Sequence, residues 1–110
     1  MSEFSVSTGV REGFEVVVVC GDIDETTAPK LQAAIEQRRD GRPIIVDMHG
    51  VSFISSAGLH VLFHDGTVSA LAGLSDGNAR VFAMIGASRC VPMFPDVTIV
   101  IQSLALGQSA

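Results

Sequence analysis

The chain has 110 residues, 47% hydrophobic and 17% charged, with six Phe, no Trp and no Tyr. That describes one compact domain with a core of Val, Ile, Leu and Ala, needing no disulfide or metal, and it excludes a disordered chain. The formal net charge of -5 excludes the basic field that a nucleic-acid backbone or an anionic membrane surface requires, and suits a partner with a basic patch.

The first residues, MSEFSVSTGV, carry no basic flank and no apolar stretch, so no signal peptide is expected. Phe4, Val6 and Thr8 alternate with Ser5 and Ser7, the pattern of a half-buried strand. Gly9 to Gly13 suits a hairpin loop. Phe14–Cys20 is rich in β-branched residues and reads as a more buried second strand. It is far too short to span a bilayer, so a cytoplasmic protein is expected. The two strands form an antiparallel opening hairpin.

Gly21–Asp24 breaks the strand. Thr27 is a candidate helix N-cap with Pro29 in the first turn, and Ala28, Leu31, Ala34 and Ile35 form one helical stripe. Asp40-Gly41 is expected to end that helix. Pro43–Met48 reads as a third strand, followed by a connection with Val51 and Phe53 as apolar anchors. A second helix is predicted from Ser55-Ser56 to about Ala72, with Leu59, Leu62 and Phe63 facing the core. After a polar loop, Arg80–Ile85 reads as a fourth strand. Ala87–Met93 reads as a short third helix, with Val91, Met93 and Phe94 as core or a small apolar cap. Val97–Ile101 reads as a fifth strand. The last residues, LALGQSA, allow at most two helical turns.

Strands separated by helices need crossover connections and are therefore parallel. The expected fold is α/β: a mixed β-sheet opened by an antiparallel hairpin, then alternating helices and strands. Cys20 and Cys90 read as two reduced, buried side chains.

The stretch Val46–Leu62 combines a strand, an anchored loop and a helix opening on two serines. Ser55 fits the N-cap position, where its hydroxyl accepts a first-turn N–H. Ser56 then takes the first helical position. On spacing alone the pair reads first as a helix cap. A phosphate on Ser56 would meet the positive end of the helix dipole and add about 1.5–2 negative charges to that surface without unfolding the domain. Ala57 and Gly58 are small and permit close approach of a neighbouring loop or partner backbone.

Gly21-Asp-Ile-Asp24 with Thr27-Ala-Pro29, then Val46-Asp-Met48 and Phe53-Ile-Ser-Ser-Ala-Gly-Leu59, resemble the STAS domain of anti-sigma-factor antagonists. The resemblance covers about residues 3–101 in the same order of elements, leaving a short tail, 102–110, on one domain spanning 1–110. It implies that Ser56 is phosphorylated by a partner that is both a serine kinase and an anti-sigma factor. The residue before the phosphoacceptor is usually Asp in that family and is Ser55 here, which makes Ser55 a rival acceptor. The family's second serine is Ala57. Asp24 matches an acidic residue near the phosphorylation site, and the family's long terminal helix is expected to be shortened.

The mechanism so implied is partner switching. Unphosphorylated, the domain binds the anti-sigma factor and frees sigma; phosphorylated, it is released. Discrimination of about 3 kcal/mol suffices, each 1.4 kcal/mol being tenfold in affinity. Asp22, Asp24, Ser55, Ala57, Gly58 and His60 are expected to flank the contact surface around Ser56.

Other chemistry reads weakly. His60 and His64 stand four apart on the second helix but lack a general-base Glu and a third ligand. Ser56 lacks a nucleophile elbow, and no phosphate-binding glycine loop is present. No cofactor, metal or catalysis is expected, and the domain is expected to be a monomer or weak dimer. Two other functions fit the resemblance: an accessory subunit of a lipid-transporting ABC ATPase, and a scaffold module of a sensory complex.

Overall fold

The computed structural model describes residues 3–37, 41–63 and 67–109, without the side chains of 88 and 105–109. Two strands open the chain, β1 (Ser5–Arg11) and β2 (Phe14–Cys20), paired antiparallel with Val6 opposite Val19 and Thr8 opposite Val17. β1 continues to Arg11, so the loop expected over Gly9–Gly13 reduces to Glu12-Gly13. Both residues take positive φ, 50° and 86°, the two-residue turn whose twist matches that of the strands.

β3 (Ile44–Gly50), β4 (Val68–Ala72) and β5 (Met93–Phe94) then add parallel to β2, in the order β1-β2-β3-β4-β5. The crossovers are α1 (Ala28–Glu36), α2 (Ser56–Phe63) and α3 (Asp76–Met84), the last followed by a 3-10 turn at Ala87–Arg89. α1 buries the predicted stripe of Ala28, Leu31, Ala34 and Ile35. These residues join Val17, Val19, Leu62, Leu71 and Phe82 in one core on a single face of the sheet. Burial of each large side chain there contributes about 1.5–3 kcal/mol. The opposite face carries Val16, Ile45, Ala70 and Ala72, covered by Val97, Val100 and Ile101 of α4 (Val97–Ser109).

The mixed sheet with its opening hairpin is as predicted, but the second half of the chain is assigned differently. α1 ends at Glu36, ahead of the expected stop at Asp40-Gly41; Asp40 lies outside the described residues. α2 ends at Phe63 instead of near Ala72. Val68–Ala72 is a strand because both its faces are covered, Leu71 towards the three crossover helices and Ala70 and Ala72 towards α4.

Arg80–Ile85 is helical, not a strand. The Ser75 hydroxyl caps α3 by accepting the Asn78 N–H at 3.1 Å, and of that helix only Phe82 is buried. The third helix expected over Ala87–Met93 is only the 3-10 turn, with Val91 buried and Met93 and Phe94 half-buried in β5.

Val97–Ile101 is likewise helical: Asp96 Oδ1 accepts the Ile99 N–H at 2.9 Å, and Val97, Val100 and Ile101 follow helical spacing. The terminal helix is therefore 13 residues long, more than the two turns expected, and takes in residues expected as a short tail. Cys20 is half-buried and Cys90 exposed, both as free thiols, which corrects the expectation that both are buried. No helix among the described residues is long and apolar enough to cross a membrane.

Candidate functional site

The loops that follow the carboxyl ends of β2 and β3 meet at one end of the sheet. A single parallel bridge, Ile23 to Ile54, joins them. The Ile23 N–H donates to Phe53 O at 2.9 Å, and the Ser55 N–H donates to Ile23 O at 2.8 Å. A further bond runs from Ser52 Oγ to Asp22 Oδ1 at 3.3 Å. The loop carrying Asp22 and Asp24 is thereby brought against Ser52 and Ser55, although far from them along the chain.

The Asp24 carboxylate organises the first loop. Its Oδ1 accepts from the Thr26 N–H at 2.9 Å, the Thr26 hydroxyl at 2.7 Å and the Thr27 N–H at 3.0 Å. These bonds favour the charged form, and the Thr26 hydroxyl, then the two backbone donors, hold the Asp24 carboxyl below its ordinary value of 3.8. Thr27 occupies the N-cap position of α1, but its hydroxyl does not cap the helix. Instead it accepts the Asp24 N–H at 2.8 Å and lies 2.8 Å from the Asp22 carbonyl. Its predicted capping role is therefore corrected: Thr27 fastens the loop, while Asp24 satisfies Thr27's own N–H.

The second loop is held by Val51, which is buried. Phe53, expected as a second anchor, is 52% exposed. Its backbone carbonyl is what the fold uses, as acceptor for Ile23. Ser55 is half-buried and its Oγ accepts the Gly58 N–H at 3.4 Å, a long capping bond. Ser56, the first residue of α2, is exposed. Asp24, Glu25, Thr26 and Ser55 line a shallow depression next to it.

His60 lies one turn further along α2 and is exposed, while Ala57 is half-buried against the core. Gly58 is buried, which corrects its assignment to the contact surface. A Cβ there would stand 2.6 Å from Ile23 Cγ2 and 3.0 Å from Ile54 Cγ2. Gly58 thus lets the start of α2 settle onto the bridge between the two loops.

Three features of this site were not singled out in the sequence: the Asp24–Thr26 bonds, the Ser52–Asp22 bond and the exposure of Phe53. An Asp two residues before a Thr is a signal for the first, since such pairs form local turns. His64, paired with His60 as a candidate metal ligand, lies outside the described residues. Among the described residues no group of three or more His, Cys, Asp or Glu side chains is placed to hold a metal ion.

Residues 5–98 match a family model described as STAS domain. Among solved structures, an anti-sigma factor antagonist from Mycobacterium paratuberculosis is similar at 25% identity and TM-score 0.80, over 92% of this chain and 93% of that one. A sulfate transporter family protein from Wolinella succinogenes is similar at 18% identity and TM-score 0.75, over 93% of each chain. The Bacillus cell fate determinant SpoIIAA in its phosphorylated form is similar at 20% identity and TM-score 0.63, over 93% and 99%. The likeness to the last two is one of fold. No curated protein matches the chain. The family-model match spans most of the fold, from the first strand into the last helix, and the chain belongs to the STAS domain family.

Proposed function

We propose that this domain is an anti-sigma-factor antagonist working by partner switching, with Ser56 as its phosphoacceptor. Unphosphorylated, it binds an anti-sigma factor that is also its serine kinase; phosphorylated on Ser56, it lets go. The observation that carries this reading is the contrast between the two serines. Ser56 is exposed at the first position of α2, whereas Ser55 is half-buried and its hydroxyl is engaged with the Gly58 N–H. The similarity to an anti-sigma factor antagonist at TM-score 0.80 supports the same reading.

The Ser56 hydroxyl projects from a helix start whose first N–H groups have no intrahelical partners, so an attached phosphate sits at the favourable end of the dipole. The fold survives the modification. The partner-facing surface, however, gains about 1.5–2 negative charges one residue from Ser55, which shares a shallow depression with Asp24 and Glu25. A partner that docked on the neutral hydroxyl must then desolvate a dianion, which raises its dissociation rate.

The test is phosphorylation of the full chain by its cognate kinase with ATP, read by mass spectrometry. Phosphate is expected on Ser56 in the wild type and in Ser55→Ala, and none in Ser56→Ala. Ser56→Glu is expected to lose the anti-sigma factor in a pull-down while keeping its circular dichroism. Phosphate found on Ser55 alone, or binding that persists with Ser56→Glu, overturns the reading. Recovery of a transporter ATPase without a kinase points instead to the accessory-subunit role.

A further inference from the structure

β1 forms the outer edge of the sheet, with β2 as its neighbour on the inner side. The Glu12-Gly13 turn defines which of its backbone groups are used. In a two-residue hairpin the flanking pair, here Arg11 and Phe14, exchanges both backbone bonds, and the pairs alternate from there. Ser5, Ser7, Gly9 and Arg11 therefore bond to β2, while Val6, Thr8 and Val10 aim their N–H and C=O groups away from the sheet. An independent bond agrees. Glu15, opposite Val10, donates its N–H to Pro43 O on the far side at 3.0 Å, so its polar groups face away from β1.

Such an edge is a template for another strand unless it is blunted by Pro, a bulge or an inward charge. β1, SVSTGVR, has no Pro, and its register runs unbroken from Ser5 to Arg11. Its one charge, Arg11, stands at the end, where its guanidinium Nη2 donates to Thr98 Oγ1 of α4 at 2.9 Å. On the opposite side of the strand Val10 is 56% exposed.

We propose that two copies of this chain pair through β1, antiparallel about a two-fold axis at Ser7, so that the two five-stranded sheets become continuous. Residues with outward backbone groups must face one another, and this register meets that condition by setting Val6 opposite Thr8; it also brings Phe4, immediately before the strand, opposite Val10. It also sets Glu3 opposite Arg11, on the face that α4 covers, and does so twice because the interface is isologous. Opposite charges in directly facing positions are favourable in antiparallel pairs. The half-buried Phe4 ring would cover the exposed Val10 side chain. A register shifted to an axis at Thr8 loses the charge pairing and sets Glu12 against Phe4. Self-complementary charge is what selects a second copy as the occupant of this edge.

The experiment is sedimentation equilibrium on the full chain, with thermal melts of each variant as a check of folding. The wild type is expected to dimerise, Arg11→Glu to raise the dimer dissociation constant about tenfold or more, and the swap Glu3→Arg with Arg11→Glu to restore it. Thr8→Pro removes an outward N–H and no bond to β2, which an edge strand tolerates; it is expected to be folded and monomeric. A wild type that stays monomeric at millimolar concentration, leaving the edge to a strand of some other protein, overturns the proposal. So does a dimer unmoved by both Arg11→Glu and Thr8→Pro. Should Thr8→Pro fail to fold, the charge swap decides alone.

Discussion

Gly58→Ala tests how the phosphoacceptor is held in place. The third residue of α2 stands over the bridge between the two loops, and an added methyl would lie 2.6 Å from Ile23 Cγ2, 3.0 Å from Ile54 Cγ2 and 3.3 Å from Ile23 Cβ. Ile23 is fully buried, and its backbone is pinned on both sides through Phe53 and Ser55. A β-branched side chain so placed cannot swing aside, because its Cγ2 sits one bond from a fixed Cβ. Overpacking of this kind costs about 1–3 kcal/mol. Alanine returns up to about 1 kcal/mol through better helix propensity, less in a first turn. With a first-turn return of about 0.5 kcal/mol, the expected net effect is a loss of about 0.5–2.5 kcal/mol, a fall in Tm of about 2–15 °C for a domain of this size. Phosphorylation of Ser56 is expected to slow, since α2 must lift at the end that carries it.

Urea denaturation with unchanged m gives the first number, and Ile23→Ala supplies the second half of a double-mutant cycle. Ile23→Ala alone leaves a cavity and costs about 2–5 kcal/mol. In combination the two changes should be less damaging than their sum, by at least about 0.5 kcal/mol. If Gly58→Ala is as stable as the wild type, or the cycle is additive, α2 is not held against Ile23 in the manner described.

The charged Asp24 organises its loop, and its carboxyl is held low, so its contribution is complete above the unfolded value near 3.8 and lost as pH falls through the lower folded value. Asp24→Asn is therefore expected to melt below the wild type at pH 7, with the gap closing as the pH falls below about 4; a gap constant down to pH 2.5 refutes the assignment. Ser55→Ala removes only a long cap bond of 3.4 Å and is expected to cost about 0.5 kcal/mol, with Ser56 still phosphorylated. Ile101→Ala, at a buried site where α4 meets Ile45 and Ala70, is expected to cost about 2–5 kcal/mol. A cost below about 0.5 kcal/mol would mean that α4 does not cover that face.

Sequence alone determined whatever depends on a strong local pattern. Phe14–Cys20 could only be a buried strand, because seven residues dominated by Val suit a pleated surface covered on both sides. Ala28, Leu31, Ala34 and Ile35 share a stripe only in a helix. The start of α2 was legible because Ser55 and Ser56 precede an apolar helical run, and a first helical residue is exposed unless something covers it. Tertiary structure decided the short apolar runs, whose period is ambiguous over five or six residues. Val68–Ala72 became a strand because a sheet position covered on both faces was available to it. Val97–Ile101 became a helix despite its β-branched residues, because Asp96 caps it and one face of the sheet needed a cover. Tertiary structure also decided which loop meets the start of α2. The loop of Asp22 and Asp24 is joined to the segment that leads into Ser56 by the Ile23–Ile54 bridge, a contact between distant segments that propensity and periodicity, being local, do not encode.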